Sequence, residues 1–135
     1  MSRDGWLVRK TANRIVMSCP KCPGFTAIDV QLSHVGDGTE ARVRAGITIA
    51  KSMFNVCKRN ASINGTKCFS GAAVNLRRAV GFVTSVQISR VTYSATYVLW
   101  QRGARLVIRN VAPSRKTAEA LGRRTFKVIV NQIVE

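Results

Sequence analysis

The chain has 135 residues, with 22 Lys and Arg side chains against 6 Asp and Glu and a formal net charge of +16. So large an excess of one sign favours a polyanionic partner, and we expect nucleic acid. Hydrophobic residues make up 46% of the chain, which excludes a disordered basic tail and predicts one folded domain over residues 1–135. No segment reads as a membrane span or a secretory signal, so we expect an intracellular protein with no membrane partner.

The first predicted element is a β-hairpin from Thr26 to Ala50. Apolar and polar residues alternate on both sides of the turn sequence Gly36-Asp37-Gly38. A two-residue turn at Asp37-Gly38 would place Leu32 opposite Val43, on an apolar face. The opposite face would then be polar and cationic, and it predicts a nucleic-acid surface formed by Gln31, Ser33, Arg42 and Arg44.

The middle of the chain, residues 51–80, is the least regular part of the sequence. Asn60, Asn64-Gly65 and Gly71 are typical of loops. The segment from Ala72 to Val80 is compatible with one short helix that carries Arg77 and Arg78.

A second hairpin is predicted between Val83 and Val111, with its tight link at Gln101-Arg102-Gly103. The apolar phase changes along this segment, so we expect a bulge or a break near Ser89-Arg90.

The register of this hairpin has two alternatives. A three-residue loop would place Arg105 and Arg109 on one face with Tyr93 and Tyr97, and a two-residue loop would place them with Val98 and Trp100. Either face could bind phosphates through arginine and stack bases on rings, although arginines lying over a half-buried sheet face would give the same pattern. The predicted nucleic-acid residues here are Arg90, Tyr93, Tyr97, Arg105 and Arg109.

The C-terminal segment, residues 114–134, predicts an amphipathic helix after the stop at Pro113 and an N-cap at Ser114. Its apolar stripe is predicted to contain Ala118, Leu121, Thr125, Val128 and Ile129. The opposite arc is basic, and we expect nucleic-acid contacts from Lys116, Arg123 and Lys127. We further expect the surplus cations of the whole chain to be gathered on one side of a β-rich body.

The cysteines raise the question of a metal. Cys19 and Cys22 have the spacing of half a zinc site, with Cys57, Cys68 and His34 as further candidates. Cys57 and Cys68 lie too far apart in the sequence to form the second half of a zinc site. We therefore prefer free thiols, with zinc and disulfides as alternatives, and we expect no cofactor. No catalytic constellation emerges, so we expect neither an enzyme nor a small-molecule substrate.

The segment Thr11-Ala12-Asn13-Arg14-Ile15-Val16-Met17-Ser18-Cys19-Pro20 is similar to an early strand in the coat proteins of single-stranded RNA bacteriophages, and residues 42–59 bear a vaguer likeness to the strands that follow. The resemblance implies a meander of antiparallel strands followed by C-terminal helix. It also implies an obligate dimer with one continuous sheet, and a shell of many dimers around genomic RNA.

The sequence thus predicts an α+β domain with antiparallel hairpins over 7–111 and a C-terminal helix over 114–134, dimeric through a shared sheet. The function we expect is that of an RNA-binding structural protein, most concretely a small viral coat protein, located in the virion or the host cytoplasm. A ribosomal or other ribonucleoprotein component is the alternative. A DNA-binding regulator that uses the helix after Pro113 is a third hypothesis.

Overall fold

A computed structural model describes residues 5–34, 39–44 and 50–131 of the chain. In these residues, seven strands form one antiparallel sheet, and the last of three helices follows the last strand. The elements are β1 (Leu7–Lys10), β2 (Arg14–Ser18), β3 (Ala27–His34), α1 (Thr39–Arg44), α2 (Ala50–Asn64), β4 (Lys67–Asn75), β5 (Val80–Ser89), β6 (Thr92–Gln101), β7 (Ala104–Ala112) and α3 (Arg115–Ile129). The strand order is β1-β2-β3-β7-β6-β5-β4. The predicted α+β class, with antiparallel strands before a C-terminal helix, is confirmed.

The second hairpin has the two-residue loop of the two alternatives. Gln101 pairs with Ala104, and the loop residues Arg102 and Gly103 both have positive φ, at 52° and 79°. Two positive φ values match the right-handed twist of the flanking strands, and glycine at the second position adopts one of them without a steric penalty. Arg105 and Arg109 therefore share a face with Val98 and Trp100, and not with the tyrosines.

The expected break before this hairpin is confirmed. The pairing of β5 with β6 shifts between Gln87 and Ser89, and a turn follows at residues 90–91. This shift brings Val86 and Tyr93 to opposite sides of the sheet, since Val86 pairs with Ser94 and Gln87 with Tyr93.

The first predicted hairpin is wrong in its second half. β3 pairs with β2 on one side and with β7 on the other, so Leu32 lies opposite Leu106 and not Val43. Residues 39–44 form the helix α1, and the predicted turn and residues 45–49 lie outside the described residues. Glu40 and Arg44 make a pair four residues apart, which stabilises a helical turn and has no counterpart in a strand.

The middle of the chain also differs from its prediction. Residues 50–64 are helical, and so is the second half of the segment that resembled coat-protein strands. Ala72 to Asn75 belong to β4, and Val80 begins β5, so the short helix predicted there is wrong. The bend between the two strands is closed by the Leu76 N–H, which donates to the Ala79 carbonyl at 2.9 Å.

The helix α3 begins where the sequence predicted. The Ser114 hydroxyl accepts a hydrogen bond from the Thr117 N–H at 3.1 Å, which is N-cap geometry. Ala118 and Gly122 are buried against the sheet, and Tyr97 stacks on Phe126 with ring centroids 4.4 Å apart. Val128, predicted to face inward, is 52% exposed; the helix packs on β5, β6 and β7.

The sheet has two faces that the two longer helices cover differently. We call the side under α3 the helix face; it carries the main core, built around Ile28, Val30, Leu99, Leu106 and Ile108. We call the other side the open face; it includes Gly71, Thr84, Thr96, Trp100 and Arg105. On the open face α2 packs on β4 and the edge of β5, with Phe54 against Gly71. Beyond β5, a cleft that reaches Arg105 and Val107 of β7 lies between α2 and this face.

All four cysteines are paired. One disulfide joins Cys19 to Cys22 in the turn after β2, and the other joins Cys57 on α2 to Cys68 on β4. The preferred interpretation as free thiols is therefore wrong, and the alternative of disulfides is the one observed. The second disulfide joins α2 to the edge strand β4. It thereby fixes the helix that forms one wall of the candidate site.

Candidate nucleic-acid interface

A polar and cationic strip crosses the open face where β3 and β7 meet. Ser33 lies opposite Arg105, and Asp29 lies opposite Arg109, with Gln31 between them on β3. Arg109 and Gln31 are exposed. Four of the residues predicted to bind nucleic acid are thus brought together, although Gln31 and Ser33 have β7 as their neighbour and not the predicted partner strand.

A cleft of about 400 Å³ lies beside this strip, between α2 and the open face. It combines an aromatic wall with hydroxyl, amide and guanidinium groups, contributed by Asn60, Thr84, Thr96, Val98, Trp100 and Arg105. Trp100 and Arg105 are directly opposite each other on β6 and β7. The cleft also includes Phe82, and such a mixture of aromatic and apolar side chains with a few polar groups is typical of ligand-binding pockets.

Arg105 lines the cleft and carries a donor that is not used within the described residues. Its Nε is buried and has no hydrogen-bond partner among the described residues. Leaving a buried donor unpaired costs about 1–3 kcal/mol. A ligand acceptor in the cleft would remove this cost only if the Arg105 side chain moved so as to expose the Nε.

Three arginines are held by acidic residues, and these pairs decide which cations are available. Arg14 pairs with Asp29 at 2.7 Å on the open face, and this hydrogen bond and charge raise the pKa of Arg14. Arg115 pairs with Glu119 at 2.9 Å on α3. Arg109, by contrast, makes no ion pair within the described ranges, so its guanidinium is available to a phosphate.

The helix α1 carries two of the predicted cations, and its Glu40 side chain fixes its position. The Glu40 carboxylate accepts hydrogen bonds from the Gly103 N–H at 2.8 Å and the Arg102 N–H at 3.1 Å, and it also pairs with Arg44. Burial alone would raise the pKa of Glu40, but these hydrogen bonds together lower it. Arg44 also donates to the Arg78 carbonyl at 2.8 Å, so it is committed to the fold, whereas Arg42 is exposed.

The two tyrosines predicted to stack on bases lie on the helix face. Tyr97 is 8% exposed beneath α3, and this burial raises its pKa. Tyr93 stacks on Phe69. Neither ring joins the strip of Arg105 and Arg109, so the expected face of arginines and tyrosines is not formed.

The remaining predicted residues are at two other places. Arg90 is exposed in the turn between β5 and β6, at the opposite end of β6 from Gly103. Lys116, Arg123 and Lys127 are exposed on α3, on the other side of the sheet from the open face. The expectation that the cations gather on one side is therefore wrong, because they occupy both.

The sequence interpretation missed the hydroxyl groups of the cleft, whereas its two-residue-loop alternative placed Trp100 on the face of Arg105. Thr84 and Thr96 share a phase with Trp100 on β5 and β6, a signal that could have been found once the two-residue loop was chosen. Asn60 could not be placed there, because α2 was not predicted.

Among the described residues, no group of three or more His, Cys, Asp or Glu side chains could hold a metal ion. Cys19 and Cys22, the candidate zinc ligands, are bonded to each other. In the same part of the chain, no helix is long and apolar enough to cross a membrane.

Comparison with known proteins gives no assignment: no protein-family model matches the chain, and no curated protein matches it significantly.

Proposed function

We propose that this protein binds RNA on the open face of its sheet and assembles with further copies of itself into a coat around that RNA. The observation that carries the proposal is the cleft beneath α2, where Trp100 lies opposite Arg105, with the exposed Arg109 four residues farther along the same face of β7. An unpaired base could lie against the indole and accept from Arg105, while the strip of Gln31, Ser33 and Arg109 contacts the backbone.

Charge supports RNA over a neutral partner. The formal net charge is +16, and the three acids of the described residues that make ion pairs hold only Arg14, Arg44 and Arg115. Most cations are therefore left to repel one another until a polyanion neutralises them. Binding through phosphates predicts a strong salt dependence and little sequence preference outside the cleft.

Self-association is supported by two separate surfaces. The sheet ends on one side at β4, a strand of nine residues whose outer edge is not paired within the described residues. A long unpaired edge is a template for another strand, so a shared sheet through β4 is the dimer contact we propose.

The second surface is an apolar groove of about 450 Å³ between α3 and the strands β2 and β3. Trp6, Met17, Leu121 and Val128 contribute to its lining. A closed dimer needs one self-complementary contact, whereas a shell needs a further one. The groove is the place where a helix of a neighbouring copy would complete the burial.

The proposal is tested by size-exclusion chromatography with the absorbance ratio at 260 and 280 nm, followed by electron microscopy. Large particles that contain nucleic acid support a coat protein. RNA binding without particles would instead support the ribonucleoprotein component, which the two-sided distribution of cations also favours. A monomer that stays free of RNA at low salt would overturn both.

The dimer contact has its own test. Amide hydrogen exchange of residues 67–75 should slow as the protein concentration rises, because pairing at β4 protects its outer N–H groups. Exchange that is independent of concentration in a sample shown to be dimeric would place the contact elsewhere.

A further inference from the structure

We infer that the outer side of α3 is a second RNA-binding surface, so that one copy of the protein bridges two RNA segments. This inference rests on the proposed function of the open face. Its starting point is that Lys116, Arg123 and Lys127 are exposed on the side of the sheet that the cleft does not reach.

The three cations form a line along the helix. Their spacing of seven and four residues places them within about 20° of one direction, over about 16 Å of helix length. Ala118 and Gly122, which pack on the sheet, lie on the opposite side of α3. The line therefore runs along the outer side of α3, although the Arg123 side chain also borders a cavity with Tyr97 and Glu119.

No described acid makes an ion pair with these three residues. The acid of this helix, Glu119, is held by Arg115 at 2.9 Å. Burial alone would raise the pKa of Glu119, but the neighbouring Ser85 hydroxyl and the charges of Arg115 and Arg123 lower it, so it stays ionised and paired. Charge complementarity thus points to a polyphosphate and not to a basic partner.

The two surfaces are electrostatically independent. α3 alone, with its side chains, is about 10–12 Å thick. The Debye length at physiological ionic strength is about 8 Å. Because the sheet adds further thickness, a strand on the open face does not neutralise the line on α3, and each surface binds its own segment.

The test captures one RNA through another. A biotinylated RNA is held on beads, protein is added, and the retention of a second, fluorescent RNA is measured. The wild-type protein should retain it. The variant Lys116→Gln/Arg123→Gln/Lys127→Gln should still bind the first RNA but retain on the order of tenfold less of the second.

A charge-matched control separates position from total charge. Lys21→Gln/Arg77→Gln/Arg78→Gln removes the same number of cations from exposed loops and should retain the second RNA like the wild type. Circular dichroism of both variants verifies the fold.

The outcomes distinguish the two proposals. If the helix variant bridges as well as the wild type, bridging comes from the open faces of two associated copies and the inference is overturned. If the wild-type protein binds the first RNA without retaining the second, the inference also fails while the proposed function stands. If no RNA binds at all, the proposed function itself fails.

Discussion

Trp100 and Arg105 lie directly opposite each other on β6 and β7, and both contribute to the cleft under α2. Trp100 is 7% exposed and packs edge to face on Phe82, so its ring is fixed by the core. The guanidinium beside it has a buried Nε without a partner among the described residues. A rigid ring next to an unsatisfied planar donor is the relationship on which the proposed recognition of a base depends.

The shape of Arg105, and not only its charge, should matter. Arg105→Lys keeps the charge but loses the planar fork, so we expect about a fivefold to tenfold loss of affinity for RNA with unpaired bases and an unchanged salt slope. Fluorescence anisotropy at several salt concentrations measures both. Arg109→Lys is the control, because an exposed phosphate contact tolerates either cation. Equal effects at the two positions would contradict a base contact in the cleft.

Arg109 should contribute through the phosphate backbone. Arg109→Gln removes one phosphate contact, so the slope of log affinity against log salt should fall by about 1 for every RNA tested. Arg77→Gln carries the same charge change in the exposed bend between β4 and β5 and should leave the slope nearly constant. A larger effect of Arg77→Gln would show that the open face is not the binding surface.

The ion pair and hydrogen bonds of Glu40 should make the free energy of unfolding depend on pH. Because the fold lowers the pKa of Glu40, the ionised carboxylate stabilises the protein fully above pH 4.5, which is the pKa in the unfolded chain. This stabilisation is lost as the pH falls through the lower pKa of the folded protein. Glu40→Gln should lower the free energy of unfolding by about 1–2 kcal/mol at pH 7. Urea unfolding at pH 7 and pH 3 should show that this difference shrinks in acid. A constant difference would rule out the ionised carboxylate as the stabilising group.

The disulfide between Cys57 and Cys68 should stabilise the wall of the cleft. For a loop of this length, the chain-entropy model gives about 3 kcal/mol. Cys57→Ser/Cys68→Ser should therefore lower the melting temperature and weaken RNA binding, because α2 is no longer fastened to β4. A dithiol reductant should reproduce the loss in the wild type. The matched variant Cys19→Ser/Cys22→Ser should leave RNA affinity unchanged. An equal loss of RNA affinity in that variant would show that fixing α2 to β4 is not what RNA binding requires.

Gly122 should be required for the seating of α3. A methyl group at this position would lie 3.1 Å from the Ala95 Cβ, which the hydrogen-bonded strand β6 holds in place. Helix propensity favours alanine by about 1 kcal/mol, but overpacking costs about 1–3 kcal/mol, so we expect Gly122→Ala to destabilise the protein. Thermal unfolding shows whether the substitution raises or lowers the melting temperature. A higher melting temperature would mean that α3 moves away from the sheet without cost.

Local signals predicted two parts of the fold well. The β6–β7 hairpin follows from dense β-branched and aromatic residues around a tight loop, and α3 follows from the cap at Ser114 and its apolar stripe. Both elements are specified by neighbouring residues. The break near Ser89 could likewise be derived from the change of phase along β5 and β6.

Long-range pairing explains the failures. β3 alternates as a strand should, but its partners are the preceding strand β2 and the distant strand β7, and not the segment that follows it in the chain. Ala41 and Val43 alternate with charged residues, a pattern too short to separate a strand from the helical turn stabilised by Glu40 and Arg44. The sequence interpretation therefore could not place the cleft. One wall of the cleft is α2, which was not predicted, and a disulfide to the strand that follows it holds α2 in place.

The most direct test of RNA binding on the open face is ultraviolet cross-linking of the protein–RNA complex, with the modified residues identified by mass spectrometry. Adducts concentrated at Trp100 and its neighbours on β5, β6 and α2 are the result that the structure predicts. The contradicting result would be adducts confined to other parts of the chain, with Trp100 and the residues around the cleft unmodified.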